Sequence, residues 1–551
     1  MKWRRRAWLA WQTLFAVAWF AVAPTWAADE PTPSIYEYIA SHIDPATGRL
    51  SAEGMTLPDE PIARRYSRIR WVPGALEGLG TRHMQWDGSE KASRAARLLE
   101  IIAASQEPTA VTTAAEASLY ELLRADDVVT FYSDALDFAA ARTRNVEPRL
   151  HALAQRLAMT SRDRGPVKFA IAMLGSMGDE HDVDLLRTLA LHDEFGLYAA
   201  EALAEIAPDR QSVLYDMARK LSGWGRIEAV ARMVATTDPV LRHWLLTEGF
   251  RNTVNPQYLA FQCVSIANLA GALDDARRAR APDVALLIGA SDLLQALIKP
   301  GPGLGLDNYD DAPEAAEAFL HLIQKRRDSM SFLLTAYSLR DYVSAHGTAL
   351  AATESRWTPA QLKEATRLAD DIIADASWRH RVTAAIADDR TDLSPAADAA
   401  ARLKIDTFDL HLRALARNPS NAQRWSLAFA AADPARVPRL ITLAEQHFGA
   451  QSAHAVNTRP AAARPHPPAT LEAVLQGIAS YPGSGLHLVE SSLADRDNRV
   501  RRAAVETLVR WGSSYLRDVS VRTALNDAAR DEADEALKAR MVALLNLGTL
   551  P

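Results

Sequence analysis

Hydrophobic residues recur along the chain at the spacing of one helix face, and residues 492–512 show the pattern clearly. If a helix begins at Val500, the positions i, i+3, i+4, i+7, i+8 and i+11 share one face. All six are apolar or small: Val500, Ala503, Ala504, Thr507, Leu508 and Trp511. The pattern therefore predicts an amphipathic helix with this face in the core.

The polar residues of the same stretch predict how the helix begins, ends and is stabilised. Asp497 precedes the first turn, where a carboxylate caps free N–H groups, and Gly512 suits the end of the helix. Arg502, Glu506 and Arg510 follow one another at intervals of four residues, so two ion pairs within the helix are expected.

Similar pairs of helices are predicted upstream, at 167–207 and 223–250. In the second, Asp238 is the expected cap and Pro239 takes a first-turn position that proline tolerates. Repeated pairs at a spacing of about 40 residues indicate an all-α solenoid, in which each pair completes its core against its neighbours.

Residues 492–512 resemble a HEAT repeat, a pair of antiparallel helices. The residues that carry the resemblance are Leu493, Asp495, Val500, Arg501, Ala503 and Ala504. The resemblance implies an all-α armadillo/HEAT-type α-solenoid, a superhelix of antiparallel helix pairs. It also implies that Asp495 holds the turn and that Arg501 reaches a neighbouring repeat, both as structural residues of a repeat ladder.

Six segments together are similar to a group of bacterial HEAT-repeat proteins without an assigned biochemical role. They are IRWVPGALEG at 69–78, RDRGPVKFAIAMLG at 162–175, LHDEFGLYAAEAL at 191–203, GWGRI at 223–227, WLLTEG at 244–249 and YPGSGLHLVESSL at 481–493. This similarity implies the fold and leaves the function open.

Proline- and glycine-rich stretches divide the predicted helices into arrays. The expected order is a signal peptide at 1–27, a leader and first helix at 28–66, an N-terminal HEAT-like array at 67–299, a Pro/Gly linker at 300–313, a middle helical segment at 314–448, a Pro/Ala-rich linker at 449–470 and C-terminal HEAT repeats at 471–551.

The first 27 residues are predicted to be an export signal. MKWRRR is basic, an apolar run extends to Ala23, and Thr25 and Ala27 occupy the small-residue positions before a cleavage site. A periplasmic or secreted location is therefore expected. Two alternatives stay open: the apolar run could remain uncut as an inner-membrane anchor, and RRAWL at 5–9 is similar to the core of a twin-arginine signal.

Composition narrows the class of partner. Of the 551 residues, 48% are hydrophobic and 24% are charged, which is typical of a globular chain. The formal charge of −6 becomes −10 without the four basic residues of the signal, so a nucleic-acid partner is not expected. Cys263 is the only cysteine, which excludes an internal disulfide and a thiolate zinc site.

The polar stretch GDEHDVDLLRTLALHDEF at 178–195 contains imidazole and carboxylate groups that could ligate a metal. A helix of about eleven residues separates its two histidines by roughly 16 Å, however, so they cannot share one ion. We favour the interpretation that the acidic residues at the start of this helix and the histidine at its end interact with the helix dipole and do not bind a metal. The candidates for a surface site are Asp179, His181, His192, Asp193, Glu194 and Trp224. No residue is assigned to catalysis, a metal or a cofactor.

Tryptophans could line a binding surface, but large aromatics in a solenoid mostly fill the core. Core positions are expected for most of Trp71, Trp224, Trp244, Trp357 and Trp425.

The resulting prediction is an exported HEAT-repeat scaffold or binding protein that recognises a protein, peptide or glycan through its solenoid surface. The alternative is an (α/α)-toroid-like hydrolase or lyase acting on glycans, since dispersed catalytic residues leave no sequence motif.

Overall fold

The computed structural model describes residues 33–61, 71–83, 111–125, 147–279, 283–299, 301–350, 356–388, 392–449 and 467–547. The predicted signal peptide and most of the predicted Pro/Ala-rich linker lie outside these residues. The chain divides into two compact units: unit 1 contains residues 1–268 and 301–303, and unit 2 contains residues 269–300 and 304–551. The predicted boundaries of arrays and linkers stay predictions.

Unit 1 is built from short helices joined by turns. Its helices are α1 (Ile35–Ser41), α2 (Ala75–His83), α3 (Val111–Ala125), α4 (Glu147–Thr160), α5 (Arg164–Met177), α6 (Val183–Leu189), α7 (Gly196–Ile206), α8 (Arg210–Lys220), α9 (Trp224–Ala231), α10 (Pro239–Trp244) and α11 (Gln257–Ala267). Short 3-10 helices precede α6 (Glu180–Asp182) and α7 (Asp193–Phe195), and a π-helical turn (Leu245–Gly249) continues α10.

Helices of unit 1 pack on their first and second neighbours along the chain. Helices α5, α7, α9 and α11 pack in succession, while α6, α8 and α10 each pack against the helix that follows. The apolar faces that meet are fully buried, as Ile171, Leu203 and Ile227 show. Each helix thus completes its core against its neighbours, as a stacked array requires.

Unit 2 is also built from helices that are joined by turns. Its helices are α12 (Leu269–Arg278), α13 (Val284–Ile298), α14 (Ala312–Ile323), α15 (Met330–Leu350), α16 (Pro359–Ile373), α17 (Ser377–Ala387), α18 (Ser394–Arg402), α19 (Phe408–Arg417), α20 (Ala422–Ala430), α21 (Val437–Ala444), α22 (Pro468–Ile478), α23 (Leu486–Ser492), α24 (Asn498–Trp511), α25 (Ser513–Leu516), α26 (Val519–Asp531) and α27 (Glu535–Leu547), with a 3-10 turn (Leu306–Asn308) before α14 and a π-helical turn (Glu445–Gly449) after α21.

Within unit 2, α12, α14 and α16 pack in succession, as do α20, α22 and α24, and α26 and α27 pack on α23 and α24. Across the described residues of both units the secondary structure is helical apart from one isolated β-bridge, between Ile43 and Leu50. The prediction of an all-α chain of packed helix pairs is confirmed, and the arrangement is consistent with an α-solenoid.

Helix α24 can be compared directly with the hydrophobic pattern of residues 492–512. Its buried residues include all six of the predicted apolar face, Asp497 caps it by accepting a hydrogen bond from the N–H of Arg499, and Gly512 ends it. The predicted ion pairs within the helix are wrong. Arg502 instead contacts Asp534, and Glu506 contacts Arg540, in the following helix pair. Parallel helix faces in a stack bring charges of neighbouring pairs within reach, which spacing in one helix cannot show.

Several local predictions also hold. As predicted, Asp238 caps α10 with Pro239 in the first turn. The single cysteine, Cys263, is buried in α11. Trp224, Trp357 and Trp425 are core residues, whereas Trp71 is 41% exposed. None of the helices described here is long and apolar enough to cross a membrane.

Candidate functional site

Sequence motifs that are distant in the chain meet in one buried region of unit 1. The segments at 69–78, 162–175, 191–203 and 223–227 all contribute polar or glycine residues to it. Six side chains form what we call the buried ionic cluster: Asp59, Glu60, Glu77, Arg164, Lys168 and Glu194. Because interacting buried ionisable groups concentrate at functional sites, this cluster is the first candidate.

Lys168 lies at the centre of the cluster, although it belongs to the apolar helix α5. Only 2% of it is exposed; its Nζ contacts Glu77 Oε1 and lies 2.6 Å from Glu194 Oε1. Burial by itself lowers the pKa of Lys168, but the charges of Glu194 and Glu77 outweigh burial and leave the pKa above its usual value. The ammonium is therefore charged and paired in the interior.

The two carboxylates that share Lys168 differ in their pKa. Burial raises the pKa of Glu77, and the charge of Glu194 adds to the rise. Burial acts in the same direction on Glu194, but Lys168 and Arg164 outweigh it and lower the pKa of Glu194 to about 2. Glu194 is thus the ionised partner of Lys168, and Glu77 is the partner that accepts a proton first.

Arg164 connects the cluster to the segment that precedes α2. Its Nε and Nη2 each donate to the Asp59 carboxylate at 2.9 Å, and Nη2 also lies 2.9 Å from Glu60 Oε2. The backbone N–H of Arg164, at the start of α5, donates to Asp59 as well. A two-pronged guanidinium–carboxylate contact fixes both partners in orientation, so Asp59 attaches its segment to α5.

His192 is buried beside Glu194 and uses both ring nitrogens. Nδ1 accepts a hydrogen bond from the N–H of Glu194 at 3.2 Å, and Nε2 lies 3.2 Å from the carbonyl oxygen of Met55. Burial lowers the pKa of His192, and the charge of Glu194 only partly opposes this effect. The ring is therefore the neutral species.

Asp193 caps a helix to which it is not adjacent in sequence. Its Oδ1 accepts a hydrogen bond from the N–H of Gly225 at 2.7 Å, in the first turn of α9, where the glycine at the N-cap has no side chain to do so. Burial raises the pKa of Asp193 to about 6, although the N–H groups of Gly225 and Gly223 and the charge of Arg226 oppose the rise.

Glycines allow this close approach of elements. A Cβ on Gly196 would lie 2.4 Å from the Cα of Gly225, and a Cβ on Gly78 would lie 2.1 Å from the ring of Trp224. Both distances are far below contact distance, so α7 and α2 meet α9 at positions where a side chain does not fit.

Arg226, next to this junction, donates hydrogen bonds to carbonyl oxygens at the end of α8 and just after the π-helical turn that continues α10. Its Nε donates to the carbonyl oxygens of Ala218 and Leu221 at 2.9 and 2.8 Å, and its Nη1 donates to that of Arg251 at 2.5 Å. A cation at these carbonyls complements the helix dipole and satisfies acceptors that lack partners within the helix.

The exposed edge of the region carries a second set of contacts between α2 and its neighbours. Arg82 contacts the buried carboxylate of Glu228, which also pairs with Arg232 at 2.7 Å. His83 Nε2 lies 3.0 Å from the hydroxyl of Tyr258. The cluster and this edge join α2 to α5, α9 and α11 through polar contacts.

The structure separates the six predicted surface candidates into two groups. His192, Asp193, Glu194 and Trp224 are buried, so these four candidates do not lie on the surface, and Trp224 has the core position expected for most of the tryptophans. Their hydrogen-bond partners come from remote segments, which a helix-by-helix reading of the sequence does not reveal. Whether any of the six binds a ligand stays a prediction.

Asp179 and His181 form the exposed group. Asp179 caps the 3-10 helix before α6, and its Oδ1 lies 3.0 Å from His181 Nδ1. Both residues line an open depression of about 580 Å³ whose lining also includes Ser176, Glu205 and Pro208. The depression lies beside the ends of α5 and α7, away from the cluster residues.

Sequence reasoning missed the principal members of the cluster: Asp59, Glu77, Arg164 and Lys168. A signal was present for one of them, because Lys168 interrupts the apolar run VKFAIAML. A charge on the buried face of a helix requires a partner, but the sequence does not identify that partner.

The two predicted ladder residues have defined contacts in unit 2. Asp495 accepts a hydrogen bond from the N–H of Asp497 at 2.7 Å, within the turn before α24. Arg501 reaches the turn between α26 and α27, where its Nε and Nη2 lie 2.7 and 2.8 Å from the Glu532 carboxylate. The assignment of these contacts to a repeat ladder stays a prediction.

Within the described parts of the chain, no group of three or more His, Cys, Asp or Glu side chains is arranged to hold a metal ion. In comparisons with known proteins, no family matches the chain, and no curated protein or solved structure matches it either.

Proposed function

We propose that the chain is an exported HEAT-repeat scaffold or binding protein that recognises a protein, peptide or glycan partner through its helical surface. The observation that carries the proposal is the packing of successive helices on first and second neighbours within each unit. Such arrays expose long rows of helix ends and faces, which are the surfaces that repeat proteins use for recognition.

The buried ionic cluster supports a structural role for the motifs of unit 1 that meet in it. Lys168, Arg164 and Glu194 are engaged with one another inside the unit, so their charges are occupied in joining helices. We therefore assign recognition of the partner to exposed residues. The HEAT-type ladder of Asp495 and Arg501 belongs to the same proposal, as does export by the N-terminal signal.

Photo-crosslinking on the exposed surface tests the proposal. A crosslinking residue is placed at Ser176 or Glu205, on the depression in unit 1, and at Asp527 on α26 in unit 2; Ala200, buried in α7, is the negative control. A partner that crosslinks at an exposed site is purified and titrated against the native chain and against charge reversals at exposed positions, Glu205→Lys and Glu201→Lys on α7 and Asp527→Lys on α26.

Saturable binding by the purified components, weakened tenfold or more by the reversal nearer the crosslink, supports the proposal. Crosslinking no greater than at Ala200, or a captured molecule that does not bind in purified form, contradicts it.

One contact favours the glycan-active alternative. A tyrosine hydroxyl hydrogen-bonded to a histidine can exchange a proton with a bound sugar, and the exposed pair of His83 and Tyr258 has this geometry. Turnover of any member of a glycan panel by the native chain, and its loss in Tyr258→Phe, would replace the scaffold proposal by this one. Equal turnover in native and variant chains would exclude the pair as its origin.

A further inference from the structure

Residues 51–61, here called the latch segment, contact the rest of unit 1 through the buried side chain of Leu57, through hydrogen bonds of Ser51 and Glu53 near α1, and through polar contacts with α5 and the turn before α7. Two of these polar contacts bear on the latch. One is the ion pair of Asp59 with Arg164; the other joins the carbonyl of Met55 to His192. We propose that His192 is a proton-operated latch, which holds this segment on unit 1 when the ring is neutral and loosens it when the ring is protonated.

The hydrogen bonds of His192 specify one protonation state. Nδ1 accepts from the N–H of Glu194, so it carries no proton, and Nε2 must then carry the proton that is donated to Met55. A second proton on Nδ1 would face the N–H of Glu194, donor against donor. The ring would also lose its role as the cap of the 3-10 helix Asp193–Phe195. Protonation therefore breaks a contact that the neutral ring satisfies.

Charged groups from every adjoining element surround the ring. The latch segment contributes Asp59 and Glu60, α5 contributes Arg164 and Lys168, α2 contributes Glu77, and the ring's own turn contributes Asp193 and Glu194. The charge of Glu194, the hydrogen bond to Met55 and the charge of Asp59 favour a charged ring, and Arg164 disfavours it. Arg164 and Lys168 already engage Glu194, so burial decides the outcome in favour of the neutral ring.

The direction of the pH effect follows from this balance. The pKa of buried His192 lies below the ordinary histidine value, whereas a detached latch segment exposes the ring and restores that value. The open form therefore binds the proton more readily, and falling pH favours opening. For one proton, the opening equilibrium rises up to about tenfold per pH unit below about 6.5, until the pKa of the closed form is reached.

Opening of the latch segment removes Asp59 and Glu60 from Arg164, so acid would expose a guanidinium group that is paired at neutral pH. This inference concerns the interior of unit 1 and holds whether or not the proposed function does. Asp59 and Glu60 attach the same segment through their ion pairs with Arg164.

Hydrogen exchange of the full-length chain, followed by mass spectrometry between pH 8.0 and 5.0, tests the latch. Rates are corrected for the intrinsic pH dependence of exchange, and peptides from α11 serve as the reference. In the native chain we expect protection across 51–61 to fall up to about tenfold per pH unit below about 6.5, with no matching fall in α11.

Two variants remove the titration while each keeps one hydrogen bond. The amide oxygen of His192→Asn can accept from the N–H of Glu194, and the longer amide of His192→Gln can donate to Met55. Neither variant should show the loss of protection across 51–61 that the native chain shows below about pH 6.5. The control His181→Gln removes an exposed histidine of the same region and should keep the native slope.

Protection that does not change with pH in the native chain overturns the latch, as does a native slope that persists in both His192 variants. Exchange of the ring C2 proton of His192 in the native chain needs no variant. After correction for the intrinsic pH dependence of C2 exchange, the protection of the His192 ring must fall over the same pH range in which 51–61 loses protection, and a different range also overturns the inference.

Discussion

At the scale of single residues, the buried carboxylate of Asp193 caps a helix but destabilises the fold at neutral pH. Its carboxylate is buried, and its pKa is raised to about 6 from 3.8. A carboxyl group with a raised folded-state pKa destabilises the fold where it is ionised, above about pH 6, and this penalty disappears as the pH falls towards 4. Protonation of Asp193 therefore makes the folded state more stable in mild acid than it would be with the carboxylate ionised.

Replacement of Asp193 by Asn keeps an oxygen that can accept from Gly225 and removes the buried charge. We expect Asp193→Asn to increase the free energy of unfolding by up to about 3 kcal/mol at pH 7.5 and by only about 1 kcal/mol at pH 4.5. Urea unfolding at the two pH values measures the difference. Asp238→Asn, at an exposed cap, is the matched control and should change little at either pH. A less stable Asp193→Asn at pH 7.5 would refute this account of the carboxylate.

The sequence reveals residues of this kind only in part. The apolar face of α24 and the cap at Asp238 follow from local spacing, and both are observed. Lys168 and Glu77 meet across 91 residues, and His192 meets Met55 across 137. Such partners depend on how helices stack, so periodicity within a helix cannot identify them.

At the scale of helices, the crossing of α7 and α9 depends on the absence of a side chain at Gly196. A Cβ there would meet the backbone of Gly225, which cannot rotate away as a side chain can. We expect Gly196→Ala to destabilise unit 1 by about 1–3 kcal/mol, the usual range for overpacking.

The matched control is Gly449→Ala, where the nearest atom to an added Cβ is 3.9 Å away. It should alter the free energy of unfolding by less than about 0.5 kcal/mol. Thermal unfolding of the two variants measures the contrast, and equal effects would show that the close approach at Gly196 is not limiting.

The contact between successive helix pairs in unit 2 can be tested by a double-mutant cycle. Glu532 is buried and Arg501 is largely buried, whereas Arg540 and Glu506 form a similar but half-exposed pair between α27 and α24. Removing one partner of the buried pair leaves a charge uncompensated, so Arg501→Met should cost about 3 kcal/mol.

The coupling energy of Arg501 with Glu532 should exceed 1 kcal/mol, while that of Arg540 with Glu506 should stay below 1 kcal/mol because solvent screens exposed pairs. Similar coupling energies for both pairs would mean that burial does not distinguish them.

At the scale of the whole chain, the all-helical class and the pairing of helices could be predicted from the sequence, because an amphipathic period repeated through the chain demands partners for each apolar face. The division at Asn268 could not be predicted. It falls between α11 and α12, whose separation in sequence is a single residue, and carries no proline or glycine signal.

Each unit is held by contacts between helices that are close in sequence, together with the cluster that joins remote motifs of unit 1. In such arrays, a local defect spreads mainly to adjacent elements. Loss of one cluster residue should therefore affect all the elements that the cluster joins and leave unit 2 unchanged.

Hydrogen exchange in Lys168→Met tests this most directly, because the substitution keeps a long apolar side chain and leaves Glu77 and Glu194 without their shared cation. We expect a loss of about 3–5 kcal/mol of stability, seen as a joint fall of protection in α2, α5 and residues 191–203, with α20, α22 and α24 unaffected. Protection that falls in α5 alone, or that stays at the native level throughout, would contradict the role of the buried ionic cluster as the junction of these motifs.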